Sequence, residues 1–152
     1  MSIFRLLTAF LASAATAYVF ASAFYTSQVI AAQSEFSFVM TRGQQLSAYG
    51  DNLLGLAPTY GVILTVTLLI GFAVAAGVKR VLVPLAPIAY PVAGAVAVFV
   101  MLWMVENLVI SGGVGVLAGA RGLVGTGLQM LAGALGGIVF AILRARTHQS
   151  AE

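Results

Sequence analysis

The sequence predicts an all-α, polytopic helical membrane protein with four transmembrane helices, both termini cytoplasmic, and a glycine-rich last helix. Three observations lead there. Of the 152 residues, 61% are hydrophobic and 7% are charged, whereas soluble domains run at roughly 45–50% apolar and about 25% charged. The apolar residues form long unbroken runs, which suits spanning helices and not the alternating strands of an outer-membrane barrel. The few basic residues gather at the edges of those runs, where they set topology and meet lipid headgroups.

The runs divide the chain, read as one domain over 1–152, into spans of roughly 6–30, 60–78, 85–109 and 117–143. A polar outer loop covers 33–58. The first run holds one charge, Arg5, and then about 20 apolar residues, enough to cross a bilayer. Its basic start, apolar middle and Ala21-Ser22-Ala23 also resemble a secretory signal. The expectation is an uncleaved anchor. Ser13, Ala17 and Ala21 recur every four residues and present a small-residue face for close helix packing.

The loop contains Glu35, Arg42, Gln44, Gln45, Asp51 and Asn52. Val39, Leu46, Tyr49 and Leu53 are spaced by seven, three and four, the pattern of an amphipathic helix. Such a helix would lie along the interface with Tyr49 at headgroup level. Extension of the first helix beyond the bilayer fits the stretch equally well. Gly50 and Pro58 are the expected breaks.

In the second span Thr67 and Gly71, then Ala73 and Gly77, make small-x-x-x-small pairs. Thr65 and Thr67 are expected to bond back to their own helix. The third span opens on Pro84, Pro87 and Pro91, spaced to share one helix face. Pro84 is harmless in a first turn, while Pro87 and Pro91 imply an irregular or kinked start. Tyr90 and Trp103 read as interfacial rings. In the last span Gly115, Gly119, Gly122, Thr126, Gln129, Gly133 and Gly137 follow at steps of three or four. Glycine costs a helix about 1 kcal/mol each in water, so a stripe of them implies a backbone that must approach another helix closely.

Topology follows from the basic residues. With four spans and cytoplasmic termini, Arg5, Lys79, Arg80, Arg144 and Arg146 lie inside, and Arg42 and Arg121 outside. Five against two obeys the positive-inside rule, and the inverted arrangement does not. The expected location is the cell inner membrane, multi-pass.

One polar constellation stands out: Glu106, Asn107, Arg121 and Gln129. Glu106 is flanked by Met-Leu-Trp-Met-Val and Leu-Val-Ile, where a carboxylate costs several kcal/mol unless it is paired, protonated or near water. The turn Ser111–Gly115 places Glu106 and Arg121 equally far from its centre. In a tight hairpin they share one depth and can pair, with Asn107 bonding across the same junction. A structural ion pair, or an exposed carboxylate at the helix end, is the expected role. The functional alternative is an intramembrane acid that binds a cation, a proton or a polar substrate group, with Arg121 tuning its acidity. Gln129 is expected to make an interhelical hydrogen bond.

Catalytic signatures are missing. Gly113-x-Gly115-x-x-Ala118 matches a relaxed dinucleotide fingerprint, but no acid lies between Glu106 and Glu152, and the motif needs one about 20 residues on. There is no Walker A sequence, no H-E-x-x-H and no nucleophile elbow. With no cysteine and a single histidine, His148, in a polar tail, no disulfide, thiolate metal site or haem ligation is expected. We therefore expect no enzyme, no cofactor, no metal and no nucleic-acid partner. The expected partners are the lipid bilayer and either a second copy or a larger membrane protein. The leading expectation is a structural or accessory subunit that packs through the stripe of Gly115, Gly119, Gly122, Gly133 and Gly137. The alternative is a small oligomeric transporter or channel that uses Glu106 and Arg121.

Overall fold

A computed structural model describes residues 3–35, 40–81, 88–109 and 122–149 of the chain. Among these, every element is helical: α1 (Ile3–Glu35), α2 (Arg42–Gly55), α3 (Val62–Val81), α4 (Ala89–Met104) and α5 (Gly122–Gln149). Two π-helical turns, Ala57–Gly61 and Val105–Val109, precede α3 and follow α4. Four stretches, Ile3–Gln33, Ala57–Arg80, Ala89–Asn107 and Gly122–Ala145, are long and apolar enough to cross a membrane.

At 33 residues, α1 is about 50 Å long, well beyond the roughly 30 Å of hydrocarbon in a bilayer. The first helix thus continues past residue 30, and a separate helix returns beside it. The start of α2 is a capping box: Thr41 Oγ1 accepts from the Gln44 amide at 3.4 Å, and Gln44 Oε1 accepts from the Thr41 amide at 2.9 Å. These bonds satisfy orphan donors of the first turn. Gly50 does not break α2, which runs through it to Gly55. The break comes at Leu56, just before Pro58. Proline has no amide hydrogen and crowds the carbonyl one turn earlier, and the chain answers with a wider turn closed by Gly61 N–H to the Leu56 carbonyl at 3.1 Å. The Leu46 and Leu53 side chains differ in burial, with Leu46 exposed and Leu53 half-buried. Val39 lies outside the described residues.

The third span starts at Ala89, four residues later than expected. Pro91 is therefore in the first turn of α4, where its missing amide is one of the groups that never has an intrahelical partner. The first bond of the helix, Val92 N–H to the Ile88 carbonyl at 3.0 Å, forms beside it. Pro84 and Pro87 lie outside the described residues.

The spans pack in the order α3, α4, α5, α1, with antiparallel neighbours and a lighter contact between α1 and α3. Small residues make each close contact. Between α4 and α5, a methyl added at Gly94 or Gly133 would overlap the backbone of the other, and one at Gly137 would overlap the Tyr90 carbonyl and Pro91. Between α1 and α5, a methyl at Gly136 would come within 2.8 Å of the Ala17 methyl and 3.0 Å of the Ser13 carbonyl. Ser13, Ala17 and Ala21 are wholly buried; this small face is the one α1 turns inward. Between α3 and α4, Gly71 faces Ala93 and Ala97, with an added methyl 2.8 Å from the latter. Gly122 departs from the expected stripe. It opens α5 with φ at +75°, is exposed, and has no described atom within 4 Å of an added Cβ. Gly115 and Gly119 lie outside the described residues.

Four aromatic rings, one from each span, fill one half of the core. Phe72 stacks on Phe140 with centroids 4.8 Å apart, and Tyr90 meets both edge-on at 5.8 and 4.9 Å. Phe10 completes the group, 6.3 Å from Phe72. Tyr90 is 2% exposed: from the first turn of α4 its ring is turned inward against Phe72 and Phe140. Trp103 is exposed. The outward faces of the spans are largely apolar, with Val66, Leu69, Ile70 and Val74 of α3 each more than half exposed. Such a surface suits hydrocarbon and not water.

The glycine contacts yield a first prediction. Gly133→Ala should lower stability by about 1–3 kcal/mol, the usual cost of overpacking. Gly127→Ala, on the open side of the same helix, should leave it unchanged. Thermal unfolding of the two variants in one detergent distinguishes them, and equal midpoints would contradict the backbone contact.

Candidate functional site

The polar side chains of the membrane region collect in the half of the bundle away from the aromatic cluster. The π-helical turn at Ala57–Gly61 is what aims Tyr60 into it. Tyr60 is 5% exposed, and its hydroxyl donates to Gln129 Oε1 at 2.7 Å. Gln129, 1% exposed, donates from Nε2 to the Ala21 carbonyl at 3.0 Å. One amide side chain thus ties α5 to α1 and to the start of α3. The Ala21 carbonyl belongs to an α-helix and accepts this bond through its second lone pair.

A second set of bonds fastens α2 to α1. Thr26 Oγ1 donates to the Ser22 carbonyl at 2.9 Å and accepts from Asn52 Nδ2 at 3.1 Å. The Tyr18 hydroxyl donates to the Leu53 carbonyl, which stands free of a helical donor near the end of α2. Further along α1, Ser13 Oγ donates to the Gly136 carbonyl at 2.6 Å. Thr65 Oγ1 bonds back to the Gly61 carbonyl at 2.7 Å. Leaving any of these groups unpaired in a dry interior costs about 1–3 kcal/mol, so the network holds the helices in one register.

Only part of the expected hairpin constellation falls among the described residues. Glu106 is exposed on the second π-helical turn, at the end of the third span. The apolar residues beside it in sequence point elsewhere around the helix, so sequence neighbours do not enclose the carboxylate. Asn107 is also exposed and donates from Nδ2 to the Trp103 carbonyl at 2.8 Å, one turn back in its own helix. Arg121 lies outside the described residues, as does the expected turn Ser111–Gly115, so the Glu106–Arg121 pair falls there too. Gln129 is the one member of the four that enters the core. Gly133 and Gly137 flank its helix face one and two turns on, against α4.

Tyr18, Thr26, Asn52 and Tyr60 were not singled out from sequence. Ser22 and Thr26 carry a faint signal, since they continue the four-residue rhythm of Ser13, Ala17 and Ala21 one position to the side. Gly94 and Gly136 were missed as well. No group of three histidine, cysteine, aspartate or glutamate side chains that could hold a metal occurs among the described residues.

Comparison with known protein families, with characterised proteins and with solved structures finds no match to this chain. What the residues can do must therefore be read from the geometry. Each donor and acceptor named in the Tyr60–Gln129 junction is directed at another group of the same chain, an arrangement suited to fastening helices.

The junction is testable by a double-mutant cycle on Tyr60→Phe and Gln129→Leu. Each single change strands a buried partner, and the pair should couple by about 0.6–1.7 kcal/mol, the span measured for hydrogen bonds inside membrane bundles. Additive losses in unfolding free energy would refute the bond.

Proposed function

We propose that the chain is a non-catalytic structural or accessory subunit of a membrane assembly. The observation that carries this reading is the Tyr60–Gln129 junction. Gln129, 1% exposed, is bonded at both its oxygen and its nitrogen to protein. The core around it is closed by backbone contact at Gly94, Gly133 and Gly136. A path for ions or solutes needs groups that can exchange protein partners for the substrate or its water. These have no such freedom.

Of the glycine face expected to meet a partner, Gly133 and Gly137 are occupied inside the chain by α4. A partner must therefore meet an outer face. On α3, Ala73 and Gly77 point outward, and a methyl added at Gly77 would meet nothing within 4 Å. A small-x-x-x-small pair on a lipid-facing surface gives a neighbouring helix room to approach closely.

The alternative, a small oligomeric transporter or channel, draws its support from Glu106, exposed on a π-helical turn, a local geometry often found at functional sites. It is the weaker reading, because that carboxylate faces away from the bundle core.

Native mass after extraction in lipid nanodiscs tests the proposal. The expected result is an assembly heavier than one protomer, which Gly77→Leu reduces while the melting temperature stays unchanged. A wild-type particle containing a single protomer alone would refute it.

A further inference from the structure

α2 is lightly anchored. None of its 14 residues is buried, whereas α4, at 16 residues, buries five. Leu46 and Leu54 are 75% and 77% exposed. Among the described residues, two hydrogen bonds join α2 to the spans: Asn52 Nδ2 to Thr26 Oγ1 at 3.1 Å, and the Tyr18 hydroxyl to the Leu53 carbonyl. Both lie in the last turn of α2. Elements with so few buried contacts are the ones that open locally while the rest of a protein stays folded.

What keeps α2 helical is separate from what holds it down. Its first turn is closed by the Thr41–Gln44 capping box, and Ser47 Oγ donates to Asp51 Oδ2 at 3.1 Å one turn along. Neither contact involves another helix. Next comes the π-helical turn Ala57–Gly61, with Pro58 inside it. Sharp bends in helices concentrate at proline and at π-bulges, and this joint has both. Tyr18 touches both sides of it. An added Cβ at Gly61 would lie 3.3 Å from the Tyr18 ring, while the Tyr18 hydroxyl holds Leu53 on the α2 side.

Depth makes the clasp easy to break. Gln129 meets the Ala21 carbonyl about two turns inside the start of its span at Gly122. Thr26 is about 7 Å farther out along α1, near the edge of the span. Groups released at that level can bond to water instead, and Thr26 keeps its own bond to the Ser22 carbonyl. The Tyr60–Gln129 junction has no member in α2 and is unaffected. We infer that α2 is a strap. It swings as a rigid helix about Leu56–Gly61, is closed by the Asn52 and Tyr18 bonds, and on opening frees the Tyr18 hydroxyl and Thr26 Oγ1. The outer end of α1 then presents uncharged hydrogen-bonding groups without any change in the four spans.

Spin labels on the full-length protein in nanodiscs test this, since the chain has no cysteine of its own. Leu46→Cys on α2 with Leu123→Cys at the start of α5, both exposed, reports the strap. Val74→Cys on α3 with Ile142→Cys on α5 reports the spans. Dilution with unlabelled protein confines the distances to one protomer. By pulsed double electron resonance the strap pair should show a main distance and a minor second one. Tyr18→Phe and Asn52→Ala should each raise the minor population about fivefold, the usual net worth of one hydrogen bond, while the span pair keeps its distance. A single strap distance, unchanged in the double variant, would overturn the strap. So would a shift of the span pair in step with the strap pair, which means that the whole bundle loosens. Helicity by circular dichroism should be the same in all variants; a loss the size of α2 means unwinding instead of swinging, and also overturns it.

Discussion

The contact between the backbones of α4 and α5 at Gly94 and Gly133 is the constraint on which the bundle depends. In hydrocarbon the side chains of a helix gain nothing by leaving lipid for protein, so association must come from dispersion at short range and from hydrogen bonds. Both require the helices to be close. Gly94 and Gly133 leave no side chain between the two backbones, and that distance then governs what else can meet. It lets Gly137 lie against the Tyr90 carbonyl, and so carries Tyr90 into the space between Phe72 and Phe140. On the other side of α5, the same helix face continues round to Gly136, where α1 approaches closely enough for Ser13 to reach a carbonyl.

Two latches of different chemistry then hold the ends. One is neutral: Tyr60, Gln129, Thr26, Asn52 and Tyr18 bridge helices with uncharged donors and acceptors. The other is cationic and aromatic, with Lys79 and Arg144 on Tyr90. The difference follows depth. Gln129 is about two turns inside the start of its span at Gly122, where an uncompensated charge would cost several kcal/mol. Lys79 and Arg144 stand at the ends of theirs, where their heads reach water or phosphate while their stems cover apolar surface.

Four spanning helices and the inward faces of two of them were legible because they depend on composition and on period alone. Ser13, Ala17 and Ala21 repeat every four residues, and Gln129, Gly133 and Gly137 do likewise, so one helix geometry puts each set on one face. What depended on a partner was not legible. Gly94 looks like any small residue in an apolar run until Gly133 is opposite it. Tyr60 was unremarkable because its direction is decided by the wider turn after Pro58, a change of about one residue in phase that no α-helical wheel contains. The start of α4 was hidden for a related reason: an assumed start at 85 made Pro91 a kink, whereas the start at Ala89 puts Pro91 in the first turn, and the burial of Tyr90 depends on Phe72 and Phe140 lying opposite it. Glu106 was legible as far as its place at the end of the third span, where it is exposed.

The distribution of contacts also limits how the protein can meet others. A helix that spends its glycines on both neighbours has little left with which to recruit a third. α5 is in that position, with Gly133 and Gly137 against α4 and Gly136 against α1. Its outward residues include the bulky Leu123, Val124, Leu131, Ile138 and Ile142, which pack as well on acyl chains as on protein, with Gly122 and Gly127 open only near its start. α3 is the opposite case. It sits at the end of the order α3, α4, α5, α1 and gives Gly71 to α4, while Ala73 and Gly77 remain uncovered on its other side. The close contacts of the protomer thus rest on Gly133, Gly136 and Gly137 of α5, whereas Ala73 and Gly77 of α3 contribute to none of them.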